Sequence, residues 1–206
     1  MPQAHVVQTV FQPGRRLALQ WTAASALAGM GLAPPCAAAA TDAPDVAPPP
    51  PAELLTELPG SRPVGAATLR FLGLNIYAVR LWVQSGFSAD TYAQSPFALE
   101  LGYFRSLSGK LIAERSLKEM QRQGRWSAAQ EESWLQSMLR TFPDVQGGDR
   151  ITGLHTPGVG ARFWFNGQAR EAVRDAHFSR VFFGIWLSEA SSEPKLRASL
   201  LGLKPP

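Results

Sequence analysis

TLRFLGLNIYAVRLWV, residues Thr68 to Val83, reads as sheet. Its aliphatic and aromatic residues favour a pleated surface that is at least half buried. It contributes to two strand segments, roughly Val64 to Leu72 and Leu74 to Gln84. Two arginines, Arg70 and Arg80, interrupt the apolar run. Desolvating an unpaired guanidinium is costly, so each needs an anion, a set of acceptors or water. Strand neighbours alternate in direction. Alternation assigns Arg70, Leu72, Leu74, Ile76, Ala78, Arg80 and Trp82 to one face and Tyr77 to the other. A greasy face with cationic ends suits an amphiphile with an acidic head group. Structural ion pairs, or charges reaching water at strand ends, suit the same pattern, and the sequence leaves both readings open.

Downstream, a turn or short helix around Ser88 to Ser95 precedes a strand from Phe97 to Ser106. Phe97, Leu99, Leu101, Tyr103 and Arg105 alternate there with Ala98, Glu100, Gly102 and Phe104, so Tyr103 and Arg105 share a mostly apolar face. Two helices follow. Leu111 to Gln123 carries Glu114–Lys118 and Arg115–Glu119 at i,i+4 spacing and stops at Gly124. Ser127 and Gln130 form a capping-box pattern at the start of the second. Its core face is Trp134, Leu135, Met138, Leu139 and Phe142, and Pro143 ends it. GGDRITGLHTPG reads as a strand bounded by glycine turns, with His155 in the loop that leaves it. Ala161 to Phe165 and Gln168 to Val173 flank Asn166-Gly167, a strong two-residue hairpin signal. Asp175 caps a helix to Leu187 that is apolar on nearly every side, which predicts deep packing and makes His177 a core or cap residue. Ser192 and Pro194 open a last helix that Gly202 closes. Strands interrupted by helices, with clear hairpins, predict an α+β domain on an antiparallel sheet.

The start of the chain does not read as fold. Arg15-Arg16 precede an apolar run from Leu17 to Ala33, and small residues follow from Cys36 to Ala40. A charged start, a short apolar middle and an Ala-x-Ala end define a secretory signal peptide over 1–40. The expected compartment is therefore the periplasm or the outside of the cell, with no stable membrane span after cleavage. TDAPDVAPPPP, Thr41 to Pro51, makes 41–52 a proline-rich linker, and 53–206 forms one domain. Removing Arg15 and Arg16 from the 20 basic side chains leaves 18 against 16 acidic ones, a net charge of +2. That gives no electrostatic footprint for nucleic acid. The single cysteine, Cys36, leaves with the signal, as does His5. Two histidines, His155 and His177, remain, too few for a His/Cys metal site, and thiol chemistry goes with the cysteine.

No glycine-rich phosphate loop precedes a helix and no GxSxG elbow is present, so no cofactor is expected. What remains is Arg70, Arg80, Tyr77, Tyr103 and Arg105, all among apolar neighbours on predicted strands. Tyrosine with arginine can hold a carboxylate by charge-assisted hydrogen bonds or stabilise an oxyanion during acid–base chemistry.

Several of these segments resemble bacterial chalcone isomerase-like proteins. The likeness rests on GAATLRFLGLNIYAVRLWV, FALELGYFRSLSGKLIAERSLKEM, FPDVQGGDRITG, the FWFNG hairpin, and HFSRVFFGIWLSE followed by LRASLLG, from about Gly65 to Gly202. It implies the chalcone isomerase fold, a long antiparallel sheet with a layer of helices packed on one side. Plant enzymes of this fold close a chalcone to a flavanone; other members bind fatty acids in the cleft, and others assist a partner enzyme. A plant strand pattern like KFTAIGVYLE, aligned on Arg70-Phe71, puts Leu72 at the catalytic threonine, where leucine cannot donate a hydrogen bond. The plant arginine has no clear counterpart beyond Arg62.

The leading expectation is a non-catalytic periplasmic protein whose sheet–helix cleft takes a small apolar or aromatic ligand such as a fatty acid. Tyr103 and Arg105 would hold its polar end, with Arg70 as a third ligand-binding residue. The alternatives are an isomerase, an intramolecular lyase acting on a chalcone-like phenol, and an accessory protein that binds a partner and no ligand.

Overall fold

The TLRFLGLNIYAVRLWV stretch turns back on itself. In a computed structural model, which describes residues 48–204, β1 (Arg62–Phe71) and β2 (Leu74–Val83) form an antiparallel hairpin joined by Leu72-Gly73. Both turn residues have positive φ, 50° and 78°. This is the two-residue turn whose twist matches that of the flanking strands. The expected signal peptide, 1–40, and the linker up to residue 47 lie outside the described residues, which all belong to one unit, Pro44–Pro206.

β3 (Phe97–Tyr103), β4 (Arg150–Thr156), β5 (Gly160–Phe165) and β6 (Gln168–Ala169) continue the sheet in chain order, so all six strands are antiparallel neighbours. Asn166-Gly167 joins β5 to β6 with φ of 49° and 83°. Its second strand is shorter than the expected Gln168 to Val173: after Ala169 the Arg170 amide still donates to the Phe163 carbonyl at 2.8 Å, and pairing returns at the Ala161–Val173 bridge.

Four helices cover one face: α2 (Gly109–Met120), α3 (Ala128–Thr141), α4 (Ala176–Leu187) and α5 (Pro194–Leu201). Their ends follow local chemistry. Ser127 Oγ accepts from the Gln130 amide, and Asp175 accepts from the amides of His177 and Phe178. Gly202 closes α5 in the left-handed conformation. These side chains satisfy amides and carbonyls that a helix end leaves without partners. Val79, Leu81 and Val83 of β2, with Phe97, Leu99, Leu101 and Tyr103 of β3, join Phe163 and the buried face of α4 in the main core. Gly65 brings β1 directly against α5, since a Cβ there would overlap the carbonyl oxygen of Ser199.

The alternate residues make a second core on the other face. Trp82, Ala98, Leu154 and Trp164 pack under Leu54 and Leu58. These two leucines belong to α1 (Ala52–Glu57) and the residue that caps it, an element the sequence reading does not anticipate. Its signal is present in AELLTEL. Leu54 and Leu58 repeat at i,i+4 on one side, and Glu53 and Glu57 repeat on another. Glu53 bonds Arg150 at 2.7 Å and Thr152 at 2.6 Å, and Glu57 pairs with Arg162. α1 begins at Ala52, the last residue of the expected linker.

His155, expected in a loop, lies within β4 opposite Phe97. The strand runs on through Thr156, and the turn begins one residue later. The ring is buried, with Nδ1 2.7 Å from Ser179 Oγ and Nε2 3.0 Å from the Ala93 carbonyl oxygen. Burial pushes the imidazole below its ordinary value, with the Ala93 carbonyl opposing in part. A neutral ring donates from Nε2 to Ala93, and its Nδ1 then competes with the Gly160 carbonyl, 3.0 Å from Ser179 Oγ, for the single Ser179 hydroxyl proton. His177, expected as a core or cap residue, is instead exposed in the first turn of α4, where its Nε2 accepts from Trp126 Nε1 at 3.2 Å.

Candidate functional site: a cavity between sheet and helices

A cavity of about 320 Å³ lies between the sheet and the helices α2 and α4. Its sheet side is Leu99 and Leu101 of β3, Ile151 and Gly153 of β4, and Phe163 of β5. Strand alternation carries these residues to one face. Gly153 sets the floor: a Cβ there would meet the Phe163 ring at 3.0 Å and the Phe183 ring at 3.1 Å. The helix side is Phe182, Phe183 and Trp186 of α4, together with one face of α2. That face carries Ile112, Arg115, Ser116 and Glu119, spaced as a helix spaces residues on one side.

Burial separates the interior from the mouth. The aromatic and aliphatic residues of β3, β5 and α4 are buried, whereas Arg70 and Phe71 at the end of β1, Leu111 and Arg115 of α2, and Glu193 before α5 are exposed. The result is an apolar interior whose charged groups sit where it meets water.

Two tyrosines supply the aromatic polar groups, beside Ser116, Ser191 and Ser192. Tyr77 and Tyr103 pair across β2 and β3, with ring centroids 5.9 Å apart and edge-on. Trp186 Nε1 donates to the Tyr77 oxygen at 3.0 Å. Tyr103 is only 5 % exposed, and among the described residues its hydroxyl makes no hydrogen bond. Burial pushes both phenols well above their ordinary range, so both are protonated donors near neutrality. On α2, Arg115 lies 2.6 Å from Glu119 Oε1. Glu119 Oε2 is buried without a hydrogen bond, with Arg122 Nε 3.8 Å away.

Arg70 and Tyr103 both line this cavity. Arg70 makes no ion pair or hydrogen bond among the described residues. Arg105 lies outside the lining. β3 ends at Tyr103, whose amide donates to Asp149 O and whose carbonyl accepts from the Gly148 amide, both at 2.8 Å. The next two residues form an exposed bend, so the alternation that placed Arg105 beside Tyr103 stops short of it.

Three further placements differ from the sequence reading. Tyr77 was assigned to the face opposite Arg70, yet both line the cavity. Leu69 pairs with Tyr77 and Arg70 with Asn75, leaving Ile76 as an extra residue, and a bulge of this kind breaks strict alternation. Arg80 is on the other face of the sheet. It pairs with Glu100 at 3.4 Å directly across the ladder and lies over the Trp82 ring at 5.8 Å, so the structural reading holds for this arginine. Leu72 is 85 % exposed in the hairpin turn and is absent from the lining. Its lack of a hydroxyl therefore says nothing about chemistry in the cavity. Arg115 and Glu119 were visible as an i,i+4 pair, but nothing local marked that pair as facing a cavity rather than water.

A single antiparallel sheet backed by helices, enclosing an apolar cavity with charged groups at its mouth, defines an α+β sheet–helix fold. The chain belongs to the chalcone isomerase-like family, whose model matches residues 64–202. An uncharacterized protein of Haemophilus influenzae is 31% identical over 143 residues, 68% of this chain and 68% of that one. Among solved structures, a fatty-acid binding protein of Arabidopsis thaliana is similar, with a TM-score of 0.55 and 14% identity over 69% of this chain and 87% of that one. At that identity the likeness speaks for the fold alone.

Proposed function

We propose that this protein binds, without transforming it, an amphiphile with an apolar body and an acidic head, such as a fatty acid. The carrying observation is the cavity, apolar inside, with the free Tyr103 hydroxyl in its wall and the unpaired Arg70 at its mouth. About 320 Å³ lies at the lower end of the range for small-molecule sites. Burying an alkyl chain there is favourable by about 0.8 kcal/mol per methylene, and a carboxylate left at the mouth stays near water and Arg70. The Arabidopsis structure, by its description a fatty-acid binding protein on the same fold, supports this reading. Both histidines and the Ser179–His155 pair stand outside the lining, so no imidazole is placed to act as a base on a bound ligand. The signal peptide read in residues 1–40 supports a periplasmic or secreted location.

Native mass spectrometry of the protein purified from its own source tests the binding. A bound species of fatty-acid mass is expected, with affinity that rises with chain length. Absence of any co-purifying lipid, together with no binding to a fatty-acid panel, would overturn the proposal.

A further inference from the structure

We propose that the tip of the β1–β2 hairpin docks the protein on a lipid bilayer carrying anionic head groups, bringing the cavity mouth to the membrane. The passage of a ligand rests on the amphiphile reading above; the docking surface rests on separate observations.

The first is a comparison within the molecule. Leu72-Gly73 and Asn166-Gly167 are two-residue hairpin turns with nearly the same backbone, φ 50° and 78° against 49° and 83°. Asparagine suits the first position because it tolerates the left-handed conformation, and the Asn166 side chain also accepts the Arg150 amide at 2.8 Å. Leucine has neither advantage. Leu72 is 85 % exposed, so packing does not offset its strained backbone. An apolar residue held in a disfavoured conformation and pointed at water is not explained by folding.

The second observation is that Leu72 is not alone. Phe71 and Leu74, which pair directly across the hairpin, are 63 % and 48 % exposed, and Leu111 on α2 is 51 % exposed. Phe71 and Leu111 also line the cavity, so the apolar patch and the mouth are continuous. Exposed patches of this kind mark interaction sites.

The third is charge. Arg70 stands at the mouth, and Arg105 stands at the same end of the sheet, next to Phe104, whose amide donates to the Ile76 carbonyl. Neither arginine is paired among the described residues. Of the nearby carboxylates, Glu114 lies 3.8 Å from Lys110, Glu119 pairs with Arg115, Asp149 accepts from the Gln146 amide and Asn166 Nδ2, Asp144 accepts from the Gly109 amide, and Glu193 is exposed at the mouth. Apolar side chains at a tip, with free arginines behind them, match the depth profile of a bilayer surface. The apolar residues enter the acyl boundary and the guanidiniums stay among phosphates. An acyl chain could then pass between bilayer and cavity without crossing water.

Flotation with phosphatidylcholine vesicles, with and without phosphatidylglycerol, tests the docking. The protein is expected to co-float with the anionic vesicles, less so at high salt. Leu72→Asn is expected to raise the thermal unfolding midpoint, because asparagine suits the turn, while lowering vesicle partition at least about tenfold. Arg105→Ala is expected to lower it about fivefold. Binding of a fluorescent fatty acid in vesicle-free buffer, measured on the same proteins, separates the two readings. Vesicle binding without fatty-acid binding would sink the ligand assignment and leave docking standing. Fatty-acid binding with no vesicle binding, or vesicle binding indifferent to Leu72→Asn, overturns the docking. So does a light-scattering dimer that Leu72→Asn dissociates, which would make the patch a contact between copies of this chain.

Discussion

Replacing Arg70 by alanine should weaken binding of a fatty acid about tenfold and leave the corresponding fatty alcohol unaffected. Arg70 is exposed at the cavity mouth and makes no ion pair among the described residues. Its removal breaks nothing in the ligand-free protein, and stability should stay within about 0.5 kcal/mol. A hydrogen bond to a charged group contributes roughly 1.5–3 kcal/mol. Water competes for both partners at an exposed mouth, so the lower figure applies, and about 1.4 kcal/mol is a factor of ten in affinity. The alcohol carries no charge for Arg70 to meet. Tyr103→Phe should behave differently. Its hydroxyl is a neutral donor in a nearly dry wall, so its loss should weaken acid and alcohol alike, by roughly 0.5–1.5 kcal/mol. Displacement of a fluorescent fatty acid by palmitate and by the matching alcohol reads both effects. Arg105→Ala is the control, because Arg105 lies outside the lining. If Arg70→Ala weakened acid and alcohol equally, or neither, the head group would not be at the mouth and the orientation argued above would be wrong.

Other consequences follow from the same geometry. Leu54 is 0% exposed in the second core, so Leu54→Ala should lower the unfolding free energy in urea by about 3 kcal/mol; a change under about 1 kcal/mol would mean that α1 is not integral to the fold. Stability should fall on acidification in two stages. Unfolded His155 takes up a proton near its ordinary 6.5, while burial keeps the folded ring neutral to lower pH. The unfolded state therefore binds more protons, and stability declines below about pH 6.5. For Glu53 and Asp175, burial alone would raise the pKa, but hydrogen bonds outweigh it, from Arg150 and Thr152 in one case and from Trp134 and two backbone amides in the other. Both are held below their ordinary 4.5 and 3.8, so their contribution is complete above those values and is lost as pH falls through the lower folded ones. Urea midpoints against pH should lose the first stage in His155→Gln, and its persistence there would assign it to another group. Incubated with a chalcone, the purified protein should leave the visible absorbance decaying at the spontaneous rate. An acceleration abolished by Tyr103→Phe would instead give the cavity a catalytic role.

Much of the fold was legible because its signals are local. Asn166-Gly167 makes a tight turn from two residues, and Ser127, Asp175 and Gly202 end helices through groups within a few positions of themselves. The alternation from Phe97 to Tyr103 fixes which side chains share a face for as long as the strand stays regular. The antiparallel α+β order needed no more than this, whereas the layer of helices on one side was implied by the family resemblance, and the turn at Leu72-Gly73 interrupts an alternation that was read straight through it. The site was legible only where that regularity held. Tyr103, inside a regular strand, lies in the cavity wall as its alternation places it. Arg105, two residues on, lies outside the lining, because hydrogen bonds to Gly148 and Asp149 end the strand first. Arg70 reaches the cavity mouth, but Tyr77 joins it only through the bulge at Ile76.

The sequence by itself determined the elements, their order and the apolar character of the surface between them. Only the tertiary structure decided which of two equivalent-looking arginines is free. Arg80 faces Glu100 across the ladder and lies over Trp82, whereas Arg70, ten residues earlier in the same apolar stretch, stands at the mouth of a cavity with no partner among the described residues. Nothing near either residue in the chain distinguishes them. The difference comes from strand register and from a carboxylate twenty positions away from Arg80, and pairing at that range exists only once the sheet has formed.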